Sequence, residues 1–77
     1  MAEKDDLKRI LRAAALAANK FPTERQLNEA AEELEKKIRV TKSDIQELGE
    51  KVASNAEIFA TTDIGDINDV LERGRKK

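Results

Sequence analysis

The chain contains no cysteine and no histidine, and these absences remove most of the chemistry that small proteins use at reactive sites. Without cysteine there is no disulfide, no thiolate nucleophile and no zinc site of the usual kind. Without histidine, the commonest general base and the commonest metal ligand are missing. At least three of the six threonine and serine hydroxyls stand where helix caps are needed. We therefore expect no enzyme activity, no cofactor and no metal ion.

Aromatic residues and long apolar runs are scarce as well. Two phenylalanines are the only aromatic side chains, and the longest apolar run covers the six residues 13–18. A membrane helix needs about 20 consecutive apolar residues, and the charged first residues do not resemble a signal peptide. No β-branched residues alternate with polar ones as they do in strands. The sequence thus predicts neither a membrane helix nor a sheet, and a cytoplasmic location is the default expectation.

Charged residues make up 40% of the 77 residues, with 15 basic and 16 acidic side chains. Alanine, glutamate, lysine, leucine and arginine dominate, and these side chains favour helices because they lose little rotamer freedom there. The length allows one domain. We predict an all-α fold, a compact bundle of three main helices plus a short C-terminal fourth helix. Residues 1–74 form the domain, and residues 75–77 form a basic frayed tail.

The first two helices are predicted from apolar periodicity and from capping residues. Helix one runs from about Glu3 to Asn19, and Pro22 prevents it from continuing. Thr23 and Gln26 have the spacing of a capping box that opens helix two. The stripe of helix one contains Leu7, Ile10, Leu11, Ala14, Ala18 and Phe21. The stripe of helix two contains Leu27, Ala30, Ala31, Leu34 and Ile38.

The other two helices follow the same logic. Thr41 and Asp44 form a second capping box, and Gly49 inside helix three indicates a close helix crossing or a kink. A short fourth helix covers Asp66 to Arg73, with Gly74 as a left-handed C-cap. The stripe of helix three contains Ile45, Leu48, Val52, Ala56 and Phe59. The buried side of helix four contains Ile64, Ile67, Val70 and Leu71.

An acidic cluster precedes and opens the fourth helix. Its oxygen-bearing side chains are Asp63, Asp66, Asn68 and Asp69. A helix-loop-helix calcium loop places ligands at alternate positions, whereas the third and fifth positions here are Gly65 and Ile67. The spacing therefore favours helix capping by Asp63 over calcium binding.

Two surfaces are candidates for binding. Ala13, Ala14 and Ala17 belong to an alanine-rich half-helix whose small side chains leave shallow grooves that another helix can fill. If this surface is exposed, it is a seam for a partner or for a second copy; otherwise helices two and three cover it inside the monomer. The second surface is basic and would bind the phosphates of DNA or RNA. Its residues are Lys36, Lys37, Arg39, Lys42, Arg73, Arg75, Lys76 and Lys77.

One local resemblance bears on the basic surface. The stretch Phe21–Leu27 resembles the Pro-Ser-Glu-Arg-Glu-Leu segment that opens the second helix of GntR-type winged-helix repressors. The triplet Val40-Thr41-Lys42 resembles the Val-Ser-Arg that opens their recognition helix. The two segments lie farther apart here than in that family, and no strand pair for a wing follows. The chain is not assigned to the family on this likeness.

The sequence therefore predicts a non-enzymatic interaction or regulatory domain that docks on a partner protein or associates with itself. A small helix-turn-helix-like protein that binds nucleic acid is the alternative. Neither a membrane nor a metal ion is expected as a partner.

Overall fold

Four α-helices follow one another in the computed structural model, which describes residues 2–75 and the side chains of residues 4–74. They are α1 (Ala2–Ala17), α2 (Glu24–Glu35), α3 (Lys42–Ala53) and α4 (Ile64–Arg75). No strand occurs in this range. The prediction of an all-α bundle is confirmed, although α4 is as long as α2 and α3, with 12 residues each.

The core forms where α1 packs against both α2 and α4, while α3 packs on α2. The connection between α3 and α4 also enters the core, because Ile58 and Phe59 are buried there. The largest fully buried side chains are Phe59, Leu7, Leu11, Leu27, Leu34, Ile67, Leu71 and Val40. Every helix stripe predicted from the sequence thus contributes to one continuous core.

Both predicted capping boxes are confirmed. The Thr23 hydroxyl accepts the Gln26 N–H at 3.1 Å, and the Thr23 N–H donates to the Gln26 side chain at 2.9 Å. At α3 the Thr41 hydroxyl accepts the Asp44 N–H at 3.3 Å, and the Thr41 N–H donates to the Asp44 carboxylate at 2.9 Å. Each box satisfies backbone groups that a helix start leaves unpaired.

Two apolar residues do not join the predicted stripes. Phe21 is 79% exposed and Ile38 is 85% exposed. Asn19 takes a left-handed conformation with φ 61°, and the Lys20 N–H donates to the Ala15 carbonyl in a Schellman motif that ends α1 before Phe21. Because α2 already ends at Glu35, Ile38 lies beyond the helix face to which the prediction assigned it.

The prediction that α3 carries Ala56 and Phe59 is wrong. Ser54 is left-handed with φ 54°, and the Asn55 N–H donates to the Gly49 carbonyl at 3.2 Å, so the chain folds back over the end of α3. A Cβ atom on Gly49 would lie 2.4 Å from the Asn55 carbonyl oxygen. The absence of a side chain at Gly49 therefore leaves room for Asn55 of the returning chain. It does not mark a helix crossing or a kink.

The fourth helix begins and ends outside its predicted bounds. Asp63 caps it, because its carboxylate accepts the Asp66 N–H at 3.3 Å. The predicted C-cap at Gly74 is wrong: α4 runs through it to Arg75, and no glycine in residues 2–75 has a positive φ. Lys76 and Lys77 lie outside the described residues.

An amide clamp joins α4 to the corner between α2 and α3. The Val40 N–H donates to Asn68 Oδ1 at 2.8 Å, and Asn68 Nδ2 donates to the Val40 carbonyl at 3.1 Å. Asn68, which the sequence grouped with the oxygen-bearing side chains of the acidic cluster, thus satisfies both backbone groups of one residue in the corner. Val40 and Asn68 are 28 positions apart in the chain, and the clamp between them fixes where α4 packs.

Candidate functional site

A groove of about 400 Å³ lies between α1 and residues 61–66, which comprise the end of the preceding turn and the first residues of α4. We call it the α1 groove. Its α1 side consists of Arg9, Ile10, Ala13, Ala14 and Ala17. Its other side consists of Thr61, Thr62, Asp63 and Asp66. All three alanines that the sequence singled out for partner binding therefore line one concave surface.

The groove exists because α1 has two apolar faces. One face, with Leu7, Leu11 and Ala15, is fully buried against the other helices. The second face repeats at i, i+3 and i+7 with Ile10, Ala13 and Ala17, which lie beside one another on a helix. Ala13 and Ala17 remain exposed, because residues 61–66 reach only the edge of this face.

The three alanines differ in what they offer to a ligand. Ala14 is only 5% exposed, and its carbonyl accepts the Thr61 hydroxyl at 3.0 Å, so it forms the floor of the groove. Ala13 and Ala17 present their methyl groups to solvent. Leu16, three positions beyond Ala13, is 49% exposed and extends the apolar surface outside the groove.

Thr62 has an unusual position on the opposite wall. It is 8% exposed, and its hydroxyl oxygen has no hydrogen-bond partner in the described part of the chain. Neighbouring Thr61 is exposed and nevertheless bonded to Ala14. Neither threonine is predictable as a groove residue from the sequence, since both lie in a turn that has no helical or strand periodicity.

The rim of the groove is acidic. Asp63 and Asp66 are both exposed, and no basic side chain among residues 4–74 forms an ion pair with either carboxylate. Arg9 lines the opposite wall, but its guanidinium lies 3.7 Å from the Asp6 carboxylate. A ligand entering the groove therefore meets an apolar floor with two carboxylates on one side and the Arg9 guanidinium on the other.

The basic residues of the predicted nucleic-acid surface are interleaved with carboxylates at the α2–α3 corner. Lys36 lies 3.6 Å from Glu33, and Lys37 lies 3.5 Å from Asp44. Lys51 also reaches Glu33, at 3.1 Å. Arg39 and Lys42 are exposed beside them. These carboxylates offset part of the positive charge of the corner. A phosphate group would therefore approach negative as well as positive side chains.

Among the C-terminal basic residues, only Arg73 has a described side chain, and it lies on another side of α4 from the corner. Arg73 is five positions after Asn68, about 140° further around the helix, and it borders a surface with Asp6 and Asp66 on the α1 side of α4. Its Nε donates to the Asp69 carbonyl at 3.4 Å. Arg75 is the last residue of α4, but its side chain is not described, and Lys76 and Lys77 lie outside the described residues.

Among the described residues, carboxylate side chains do not gather in a group that could hold a metal ion. None of the described helices has the length and hydropathy that a membrane crossing requires.

Three carboxylates are stabilised in their charged form. The pKa of Glu24 is lowered by its hydrogen bond with Lys8, and that of Glu33 by its hydrogen bond with Lys51. The pKa of Asp44 is lowered chiefly by the Thr41 backbone N–H. A depressed folded-state pKa adds stability that is present above the unfolded value and is lost as the pH falls through the folded value.

We therefore expect the urea midpoint to fall as the pH is lowered below the ordinary glutamate value of 4.5. Replacing Glu24 with glutamine removes one of these groups, so the variant should lose less stability over the same acid range. Lys8→Met, which removes the first partner of Glu24, should reduce the pH dependence in the same direction. If both variants lose as much stability as the wild type between pH ~5 and ~2, the ion pair does not act as described.

No protein-family model matches the chain, and neither a curated protein nor a solved structure matches it.

Proposed function

We propose that the chain is a non-enzymatic protein-interaction domain whose α1 groove binds one amphipathic helix of a partner protein. The observation that supports this most directly is the second apolar face of α1, on which Ala13 and Ala17 are exposed and Ile10 is half-buried. Ile10, Ala13 and Ala17 form an apolar strip beside a concave wall, and such grooves accept helices that present apolar anchors at i, i+3 or i+4, and i+7.

Side-chain size indicates which anchors fit. Because Ala13 and Ala17 are small, the backbone of α1 can be approached closely, and residues of leucine or isoleucine size on the partner can fill the space above them. The exposed side chain of Leu16 would extend the contact beyond the groove. Burial of apolar area contributes roughly 25 cal/mol per Å² before the costs of association are subtracted.

Charge indicates the flanks of the partner helix. The carboxylates of Asp63 and Asp66 lie on the rim without a described ion pair, so lysine or arginine beside the apolar anchors would be attracted to them. Complementary charge at a rim sets orientation and association rate more than it sets affinity. The proposed occupant is therefore a basic amphipathic helix, and weaker association at higher salt follows from screening.

A peptide selection tests this proposal. A displayed library of helical peptides of about 18 residues, or five turns, is selected against the immobilised chain. We expect the enriched peptides to share apolar residues at helical spacing with lysine or arginine at their flanks. Ala13→Gln, which fills the groove with a residue that favours helices, should weaken their binding about tenfold or more, equivalent to about 1.4 kcal/mol.

Ser43→Gln is the matched control, because Ser43 is an exposed small residue at the start of α3, outside the groove. This variant should bind the peptides as the wild type does. Peptides that bind wild type and Ala13→Gln equally would overturn the proposal. So would a dimer in sedimentation equilibrium that Ala13→Gln abolishes, since a second copy would then occupy the groove.

A further inference from the structure

The α1 groove continues into a second depression of about 250 Å³ between α1 and the C-terminal half of α4. We call this second depression the α4 extension. The two share Arg9, Ile10 and Asp66, so together they form one extended groove along the α1–α4 interface. The α4 extension adds the apolar side chain of Val70, which is only 5% exposed, and the guanidinium of Arg73.

Helical spacing explains why the extended groove is continuous. On α1, the lining residues from Asp6 to Ala17 recur every three or four positions, and on α4 the same holds for Asp66, Val70 and Arg73. The two helices run antiparallel, because the end of α4 borders the first half of α1. From Asp6 to Ala17 a helix rises about 16 Å, so a bound helix fills the extended groove with about eleven residues, or three turns.

The extended groove carries opposite charge at its two ends. Asp63 and Asp66 lie where α4 begins, and Arg73 lies near the end of that helix. All three side chains are exposed, and none forms an ion pair with another side chain among residues 4–74. Arg9 and Asp6 lie 3.7 Å from each other, so their charges offset. Because α1 and α4 are antiparallel, their dipoles oppose each other, and the side chains decide the polarity of the groove.

We propose that the helix bound in the α1 groove also occupies the α4 extension, with a basic residue beside Asp63 and Asp66 and an acidic residue beside Arg73. This inference rests on the proposed function. A helix that is basic at both ends would place like charge beside Arg73, and such repulsion is how a surface rejects unsuitable partners.

The spacing of the two charges on the bound helix follows from the groove. Arg73 is seven positions after Asp66 and ten after Asp63. A helix lying along the groove rises at the same rate as α4, so its basic and acidic residues should stand about seven to eleven positions apart on one side. Ion pairs that stabilise an isolated helix are three or four positions apart. The longer spacing would therefore reflect the groove rather than the helicity of the peptide itself.

The experiment compares the peptide selection on wild type and on Arg73→Glu. Peptides selected on the wild type should show the acidic residue at this spacing and should bind Arg73→Glu about fivefold more weakly. Changing that acidic residue to lysine should restore binding to Arg73→Glu and weaken binding to the wild type. The difference should largely disappear in about 1 M salt, where the screening length is roughly 3 Å.

Lys42→Glu is the charge-matched control. Lys42 is exposed at the start of α3 and lines neither part of the extended groove. The variant changes the net charge by the same amount, and it should bind the selected peptides as the wild type does. Circular dichroism checks that both variants keep their helices. Should Arg73→Glu not fold, Arg73→Gln removes the attraction without adding repulsion and should weaken binding about twofold.

The failure of this inference is distinguishable from the failure of the proposed function. If Arg73→Glu binds the peptides as the wild type does, or if Lys42→Glu weakens binding equally, while Ala13→Gln still weakens it, the helix stays within the α1 groove and the inference is wrong. If binding is insensitive to Ala13→Gln, the groove is not the binding surface and both proposals fail.

Discussion

Phe59→Ala is expected to lower the free energy of unfolding by about 3–5 kcal/mol. Phe59 is fully buried in the turn between α3 and α4, where its ring joins the core formed by the helices. Truncation to alanine removes most of the apolar area and leaves a cavity that the surrounding side chains fill only in part. A core this small rarely supplies more than about 3–5 kcal/mol of net stability. Much of the variant should therefore be unfolded at room temperature.

Phe21→Ala is the matched control, because it is the same substitution at a ring that is 79% exposed. We expect its urea midpoint to lie close to that of the wild type, since surface substitutions usually change stability by less than about 0.5 kcal/mol. Circular dichroism during urea titration measures both variants. Equal midpoints for the two alanine variants would show that the turn does not pack Phe59 into the core.

Gly49→Ala is expected to destabilise the fold by about 2–3 kcal/mol, although helix propensity alone predicts the opposite sign. Alanine in a helix interior is favoured over glycine by about 1 kcal/mol. At this position, however, the added Cβ would stand 2.4 Å from the Asn55 carbonyl oxygen and 3.1 Å from Ile58 Cγ2. A backbone oxygen cannot move aside without disturbing the returning chain, so the steric term exceeds the propensity term.

Gly65→Ala provides the comparison within the same fold. Gly65 lies in the first turn of α4, is exposed, and would place its Cβ 3.1 Å from a side-chain oxygen of Asp63. That oxygen also accepts the Asp66 N–H, but a small rotation of the Asp63 side chain relieves the contact and keeps this hydrogen bond, so we expect a free energy of unfolding within about 1 kcal/mol of wild type. A Gly49→Ala protein that is more stable than wild type would contradict the close approach of residue 55.

The starts of α2 and α3 were predictable because their determinants are local. Thr23 with Gln26, and Thr41 with Asp44, satisfy backbone groups only three positions away, so residue type and spacing are sufficient to identify them. The inward stripes of α1 and α2 were likewise readable from periodicity. What decides a helix end is often a single left-handed residue. Asparagine, as at Asn19, is common in this conformation, whereas serine, as at Ser54, is not. The periodic apolar residues beyond Ser54 therefore suggested a longer helix.

The remaining differences between the prediction and the structure arise from contacts between residues that are far apart in the chain. Phe59 repeats at helical spacing from Ile45 and is buried as the sequence suggested, but it reaches the core from a turn. Asn68 was grouped with acidic neighbours, yet its partner is the backbone of Val40, which no local pattern indicates. Only one side of the α1 groove was foreseeable: its alanines follow a helical period, whereas Thr61 and Thr62 face them only because the turn folds back onto α1.

The amide clamp between Asn68 and Val40 has a consequence for how the chain folds. It closes a loop that contains all of α3, the following turn and the start of α4, and the entropy cost of such a closure rises only slowly with loop length. The corner is thereby tied to α4 as well as to α2. Loss of α4 from the core would release the corner, so the second half of the chain should open as one cooperative unit rather than fray inward from its C-terminal end.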